Sequence, residues 1–105
     1  MATHSVTVVR VYVSEGKHLT AALMHFLQKE ANVAGATVFR GLSGFSRDGE
    51  LHTSSLLAFS LDLPEVVEFY DVPERVTAVL EQLQARMNLT HILSWPAQIH
   101  LPDGT

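Results

Sequence analysis

Apolar and polar positions follow two distinct periods along this chain. From Ser5 to Val13 (SVTVVRVYV) β-branched residues fill both parities, with Val9, Val11 and Val13 on one side and Val6, Val8 and Tyr12 on the other. Such a run predicts a strand covered on both faces. Ser14, Glu15 and Gly16 break it. From Lys17 to Val33 the period lengthens, and Leu19, Ala22, Leu23, Phe26, Leu27 and Ala31 form one helical stripe, leaving His25, Gln28 and Lys29 to water. Asn32 and Gly35 supply the exit. Ala36 to Leu42 reads as a second strand. A third, Glu65 to Asp71, opens at Pro64, with Val67 and Phe69 on one face and Val66 and Tyr70 on the other. Pro73 and Glu74 start a second helix, proline being suited to a first turn. Val76, Val79, Leu80, Leu83 and Met87 give it a clear apolar face, and Asp71 is placed to cap it. Ile92 to Leu101 is the last strand, with Trp95, Ala97, Ile99 and Leu101 alternating. Pro96 within it predicts a sheet edge, where a missing N–H is tolerated.

The order is βαββαβ. Right-handed crossovers then place two helices on one face of a four-stranded antiparallel sheet, an α+β ferredoxin-like arrangement formed by one domain over residues 1–105. Strands apolar on both faces with helices on only one leave an apolar sheet face open. Large exposed apolar patches are rare on monomers, so a homo-oligomer is expected.

Between the second and third strands the pattern lapses. Gly35 to Thr53 (GATVFRGLSGFSRDGELHT) holds four of the chain's six glycines, and Ser43 to Ser60 is long for a connection in so small a protein. Loops of this length are usually functional or disordered. Leu56, Leu57 and Phe59 predict that its far half docks or extends. Gly41, Gly44 and Gly49 admit unusual backbone angles or the close approach of a ligand. Arg40 and Arg47 could balance an anion held by backbone N–H groups, and Phe45 could wall off a base.

Composition narrows the chemistry. The chain is 47% apolar and 17% charged, enough for a core without staples. With no cysteine, disulfides, thiolate metal sites and cysteine nucleophiles are excluded. A net charge of −4 argues against nucleic acid, which requires a basic footprint. No signal peptide and no membrane span is visible, so a cytoplasmic protein is expected.

At this point the residues GATVFRGLSGF, the charged loop after them and LHTSSLLAFSLDLPEVVEFYDVPERVTAVLEQL resemble the DUF190 family of PII-like proteins. The stretch from VRVYVSEGKHL to the helix ending near Met87 shares the likeness. More distantly, the strand followed by Gly41, Gly44-Phe45 and Arg47 is similar to the start of the signalling loop of PII nitrogen-regulatory proteins. That resemblance implies a ferredoxin-like homotrimer with a nucleotide between subunits. It also implies long loops offered to a membrane transporter, channel or enzyme target. Three departures stand out. Ser46 replaces a PII glycine, Asn88-Leu89-Thr90-His91 replaces a Gly-rich phosphate turn, and no arginine follows Arg86. They argue against a full ATP site and leave AMP, ADP or a cyclic nucleotide. No tyrosine lies between Leu51 and Ser60, so uridylylation is not expected.

The expected ligand-binding set is Arg40, Gly41, Gly44, Phe45, Ser46, Arg47 and His52. The six histidines show no HxH, HxxxH or HExxH spacing, and His18 and His25 lie about 10 Å apart along one helix, too far for one ion. Glu65, Glu68, Asp71 and Glu74 cluster without forming an acid–base pair, and Glu65 reads as a strand-edge residue. Ser54-Ser55 beside His52 lack a GxSxG elbow. No catalytic or metal residue is assigned. The expectation is a non-enzymatic regulatory protein that binds a small effector, such as an adenine nucleotide, and signals through the 43–60 loop. Its rivals are a divalent-metal-binding trimer, a small-substrate enzyme and a ligand-free adaptor.

Overall fold

The computed structural model describes residues 1–14, 18–45, 51–53 and 63–103. Strand β1 runs Ala2–Ser14, helix α1 Leu19–His25, β2 Gly35–Arg40, β3 Ser43–Phe45 and β4 Leu51–Thr53. Strand β5 follows over Pro64–Asp71, then helix α2 over Pro73–Arg86 and β6 over Ile92–Leu101. Four strands form one sheet in the order β2-β5-β1-β6, every neighbour antiparallel, while β3 and β4 pair only with each other. This is the expected α+β ferredoxin-like order, with Pro96 on an edge strand.

The register separates the two faces. Val9 lies across from Phe69 and Val11 from Val67, and this face meets both helices. Val9, Val11, Val67 and Phe69 are inaccessible to water, as are Leu23 and Leu27 of the first helical segment and Leu83 of α2. Burying each such side chain stabilises the fold by about 1.5–3 kcal/mol. The α2 stripe is as read, with Val76, Val79 and Leu83 buried and Leu80 and Met87 partly so; Leu89, beyond the helix, also joins the core.

Four local expectations are corrected. Ala22 is exposed, because it sits at the margin of the α1 stripe with a side chain too short to reach the sheet; Met24 packs there partly instead. Helix α1 does not run as one α-helix to Val33 but widens to a π turn over Phe26–Glu30, where the Ala31 N–H donates to the Phe26 carbonyl at 2.8 Å. Asn32 then ends it in the left-handed region at φ 52°, as a C-terminal asparagine can. Strand β2 stops at Arg40 rather than Leu42, and the bond from the Gly41 N–H to the Pro64 carbonyl is the last rung of its pairing with β5.

Asp71 does not occupy the helix cap. Val72 holds that position without a side-chain bond. Buried Asp71 instead accepts from the Val72 N–H at 2.7 Å and from the Ala34 N–H at 3.0 Å, with Arg75 Nε 3.6 Å away. Arg75 in turn donates to the carbonyls of Ala31 and Asn32, where a first-helix end would otherwise leave acceptors unmet. Arg86 pairs with Glu30 and lies over the Phe26 ring, 5.0 Å from its centroid, closing the two helices against each other.

Candidate functional site at the loop root

The excursion between β2 and β5 leaves the sheet and returns to it at one place. Arg40, the last residue of β2, lies across the ladder from Glu65, the second of β5. One step on, the Gly41 N–H donates to the Pro64 carbonyl at 2.7 Å. A Cβ on Gly41 would sit 2.8 Å from Pro64 Cγ, and one on Gly44 3.3 Å from the same atom. Neither glycine is in the left-handed region; it is the proline ring, not an unusual backbone angle, that opposes a side chain here, by a clash at Gly41 and a tight contact at Gly44.

Past this contact the chain forms a short hairpin of β3 and β4, with Gly44 opposite His52 and Phe45 opposite Leu51. The near part of the expected irregular loop is therefore a ladder. It sets the backbone of His52 beside Gly44 and holds Phe45 on the same structure. The Phe45 side chain is 80% exposed and that of Leu42 79%, two large apolar groups in water at the root of the loop. Arg40, Gly41, Gly44 and Phe45 are thus brought together. Ser46 and Arg47 lie outside the described residues, as do the side chain of His52 and the far half with Leu56, Leu57 and Phe59.

Beside the neck sits Glu65, which is buried on the helix face of β5 rather than at an exposed strand edge. Its Oε1 accepts the Thr20 hydroxyl at 2.9 Å from the first turn of α1, and its Oε2 lies 4.0 Å from Arg40 Nε. The signal that could have found this buried carboxylate is parity, since Glu65 alternates in step with Val67 and Phe69 on the buried face of β5; what the sequence did not show is that Thr20 and Arg40, from remote segments, meet it there.

A second charged group stands on the open sheet face. Arg10 donates through Nε to Glu68 Oε1 at 2.8 Å, and its guanidinium lies 5.4 Å from the Trp95 ring centroid. The hydrogen bond to Glu68 and then that to Tyr12 raise the Arg10 pKa above its ordinary value. Around them Tyr12, Phe39, Leu93 and Trp95 are all more than a third exposed. A depression on this face is lined by Val6, Val8, Tyr70, Ala97, Gln98 and Ile99, well separated in the fold from the loop root. Among the described residues no three His, Cys, Asp or Glu side chains gather as a metal would require. Nor is any described helix long and apolar enough to cross a membrane.

Residues 6–99 match the model of a protein family, DUF190, described as "Uncharacterized ACR". A UPF0166 protein of Aquifex aeolicus (strain VF5) is 35% identical over 60 residues, 57% of this chain and 57% of its own length. The match therefore spans just over half of that relative. Among solved structures, CPII from Thiomonas intermedia K12 is a nitrogen regulatory PII-like protein bound to ADP, AMP and bicarbonate. It superposes with a TM-score of 0.63 at 22% identity, covering 93% of this chain and 89% of that one. The divalent ion tolerance protein CutA1 from Ehrlichia chaffeensis gives the same TM-score at 11% identity, covering 93% and 85%. At these identities the likeness is one of fold.

Proposed function

Because the chain belongs to the DUF190 family and has a PII-like fold, we propose that it is a regulatory protein that binds an adenine nucleotide at the root of the 43–60 loop. AMP and ADP suit it better than ATP, since Asn88 to His91 and the tail beyond Arg86 lack the groups a triphosphate would need. The observation that carries this reading is the loop root itself. Arg40 ends β2 at the neck where the Gly41 N–H meets the Pro64 carbonyl, and an exposed Phe45 stands on the hairpin just beyond it, a cation and an aromatic ring within six residues of one loop root. ADP and AMP in the CPII structure agree with that chemistry.

The protein acts as a cytoplasmic homotrimer. The apolar open face of the sheet is the surface that self-association would cover, and the nucleotide sits between subunits. Bound nucleotide favours one conformation of the loop and so alters affinity for a protein target, a transporter or an enzyme. This requires unequal binding to the two loop conformers. No catalytic step is assigned.

Thermal unfolding against AMP, ADP, ATP and cyclic AMP tests the proposal. A ligand of the native state at 100 times its Kd adds about 2.7 kcal/mol and raises the midpoint. Arg40→Ala is expected to abolish the shift, as is Arg47→Ala. A shift with Zn²⁺ or Cu²⁺ and none with any nucleotide would favour the metal-binding reading that the CutA1 likeness suggests. Silence with both would leave an adaptor.

A further inference from the structure

Arg40 and Glu65 face each other across the β2–β5 ladder, yet they are unequally placed. The glutamate side chain is 9% exposed and the arginine side chain 59%. Their closest approach, 4.0 Å, is attraction without a hydrogen bond. Among the described residues, the hydrogen bond that Glu65 accepts comes from the Thr20 hydroxyl onto Oε1. A carboxylate withdrawn from water is unfavourable unless donors and a cation compensate it. Here Thr20 fixes one oxygen and so turns the other toward Arg40.

We infer that Glu65 is an internal counter-ion that competes with an anionic effector for Arg40, and so sets how strongly the loop root takes anions. The inference rests on reading the loop root as the effector site, and Glu65 acts through Arg40 as a positioning and specificity-determining residue. A phosphate approaching the guanidinium meets the field of a carboxylate that cannot swing away, because Thr20 holds it and the sheet buries it. Anions of low charge are then bound weakly, and only a ligand with further contacts, such as the base and ribose of a nucleotide, prevails. Thr20 makes the first turn of α1 part of this balance.

Isothermal titration of ADP and of inorganic pyrophosphate into the full chain tests it, using wild type, Glu65→Gln, Arg40→Ala and the double variant. Glutamine keeps the shape and an acceptor for Thr20 while removing the charge. Glu65→Gln is expected to bind both ligands about tenfold more tightly, equivalent to about 1.4 kcal/mol. Pyrophosphate should gain at least as much as ADP, and the gain should vanish in the Arg40→Ala background. Glu65→Asp, which draws the carboxylate back from Arg40, is expected to give a smaller gain in the same direction and serves if the glutamine variant fails to fold. Wild type that binds ADP with a Kd left unchanged or weakened by Glu65→Gln would overturn the counter-ion role alone. Binding by neither wild type nor Glu65→Gln would overturn the effector site itself, and the counter-ion role with it. Binding by Glu65→Gln alone would support both.

Discussion

Glu65 and Glu68 stand three residues apart on β5, point to opposite faces of the sheet and each look across the ladder at an arginine. On the open face the Arg10–Glu68 pair is closed at 2.8 Å, with Trp95 under the guanidinium. At the loop root the Arg40–Glu65 pair is stretched to 4.0 Å, with one partner buried and the other reaching into water. Cross-strand spacing is the same in both. What differs is the setting of the arginine. Arg10 is in the middle of a central strand, braced by an aromatic ring, whereas Arg40 is the final residue of an edge strand where the backbone turns away. The first pair is held as part of the sheet surface; the second stands where the chain leaves the sheet for the 43–60 loop.

Four substitutions separate these roles. The largest loss is expected from Phe69→Ala, which empties the core immediately beside Glu68 and touches both pairs through β5; urea unfolding should show about 3–5 kcal/mol. Asp71→Ala comes next. Asp71 is a third β5 carboxylate, buried like Glu65 but met by two backbone donors, and its removal strands the N–H groups of Ala34 and Val72. A loss of about 1–3 kcal/mol is expected in the same assay. Gly41→Ala forces a methyl against the Pro64 ring at the loop root. About 1 kcal/mol of overpacking should follow, with hydrogen exchange at the amides of position 41 and Gly44 accelerated more than in the sheet. Arg10→Met is expected to move the unfolding midpoint least, because a solvent-accessible pair is screened by water and salt. If multi-angle light scattering shows that Arg10→Met also changes the assembly, the closed pair belongs to a subunit contact and the comparison sharpens.

Much of the scaffold was legible because it is written in periods. Val9, Val11 and Val67 alternate, Val76, Val79 and Leu83 recur by helical turns, and Pro96 marks an edge; each signal is local and survives without knowledge of the partner. The π turn at Phe26–Glu30 was not legible, since widening a helix by one hydrogen bond leaves the apolar spacing almost unchanged. The β3–β4 hairpin was missed because three-residue strands are too short to show alternation. At the site, Arg40, Gly41, Gly44 and Phe45 could be named from composition and from resemblance to PII-like proteins. The inward face of Glu65 was open to the same parity argument as Val67 and Phe69, but its partners were not, because Thr20 and Arg40 arrive from two other elements. The glycines were singled out for their freedom, yet Gly41 and Gly44 are needed for the ring of a proline that lies far along the chain.

The bond between the Gly41 amide and the Pro64 carbonyl turns the intervening chain into a closed ring whose neck belongs to the sheet. The entropy lost in closing such a ring grows only with the logarithm of its length, so doubling it is unfavourable by only about 0.6 kcal/mol. Descendants of this chain could therefore lengthen, shorten or rewrite the ring while β2, β5 and the core beneath them stay as they are. The neck makes the ring evolutionarily separable from the sheet that carries it.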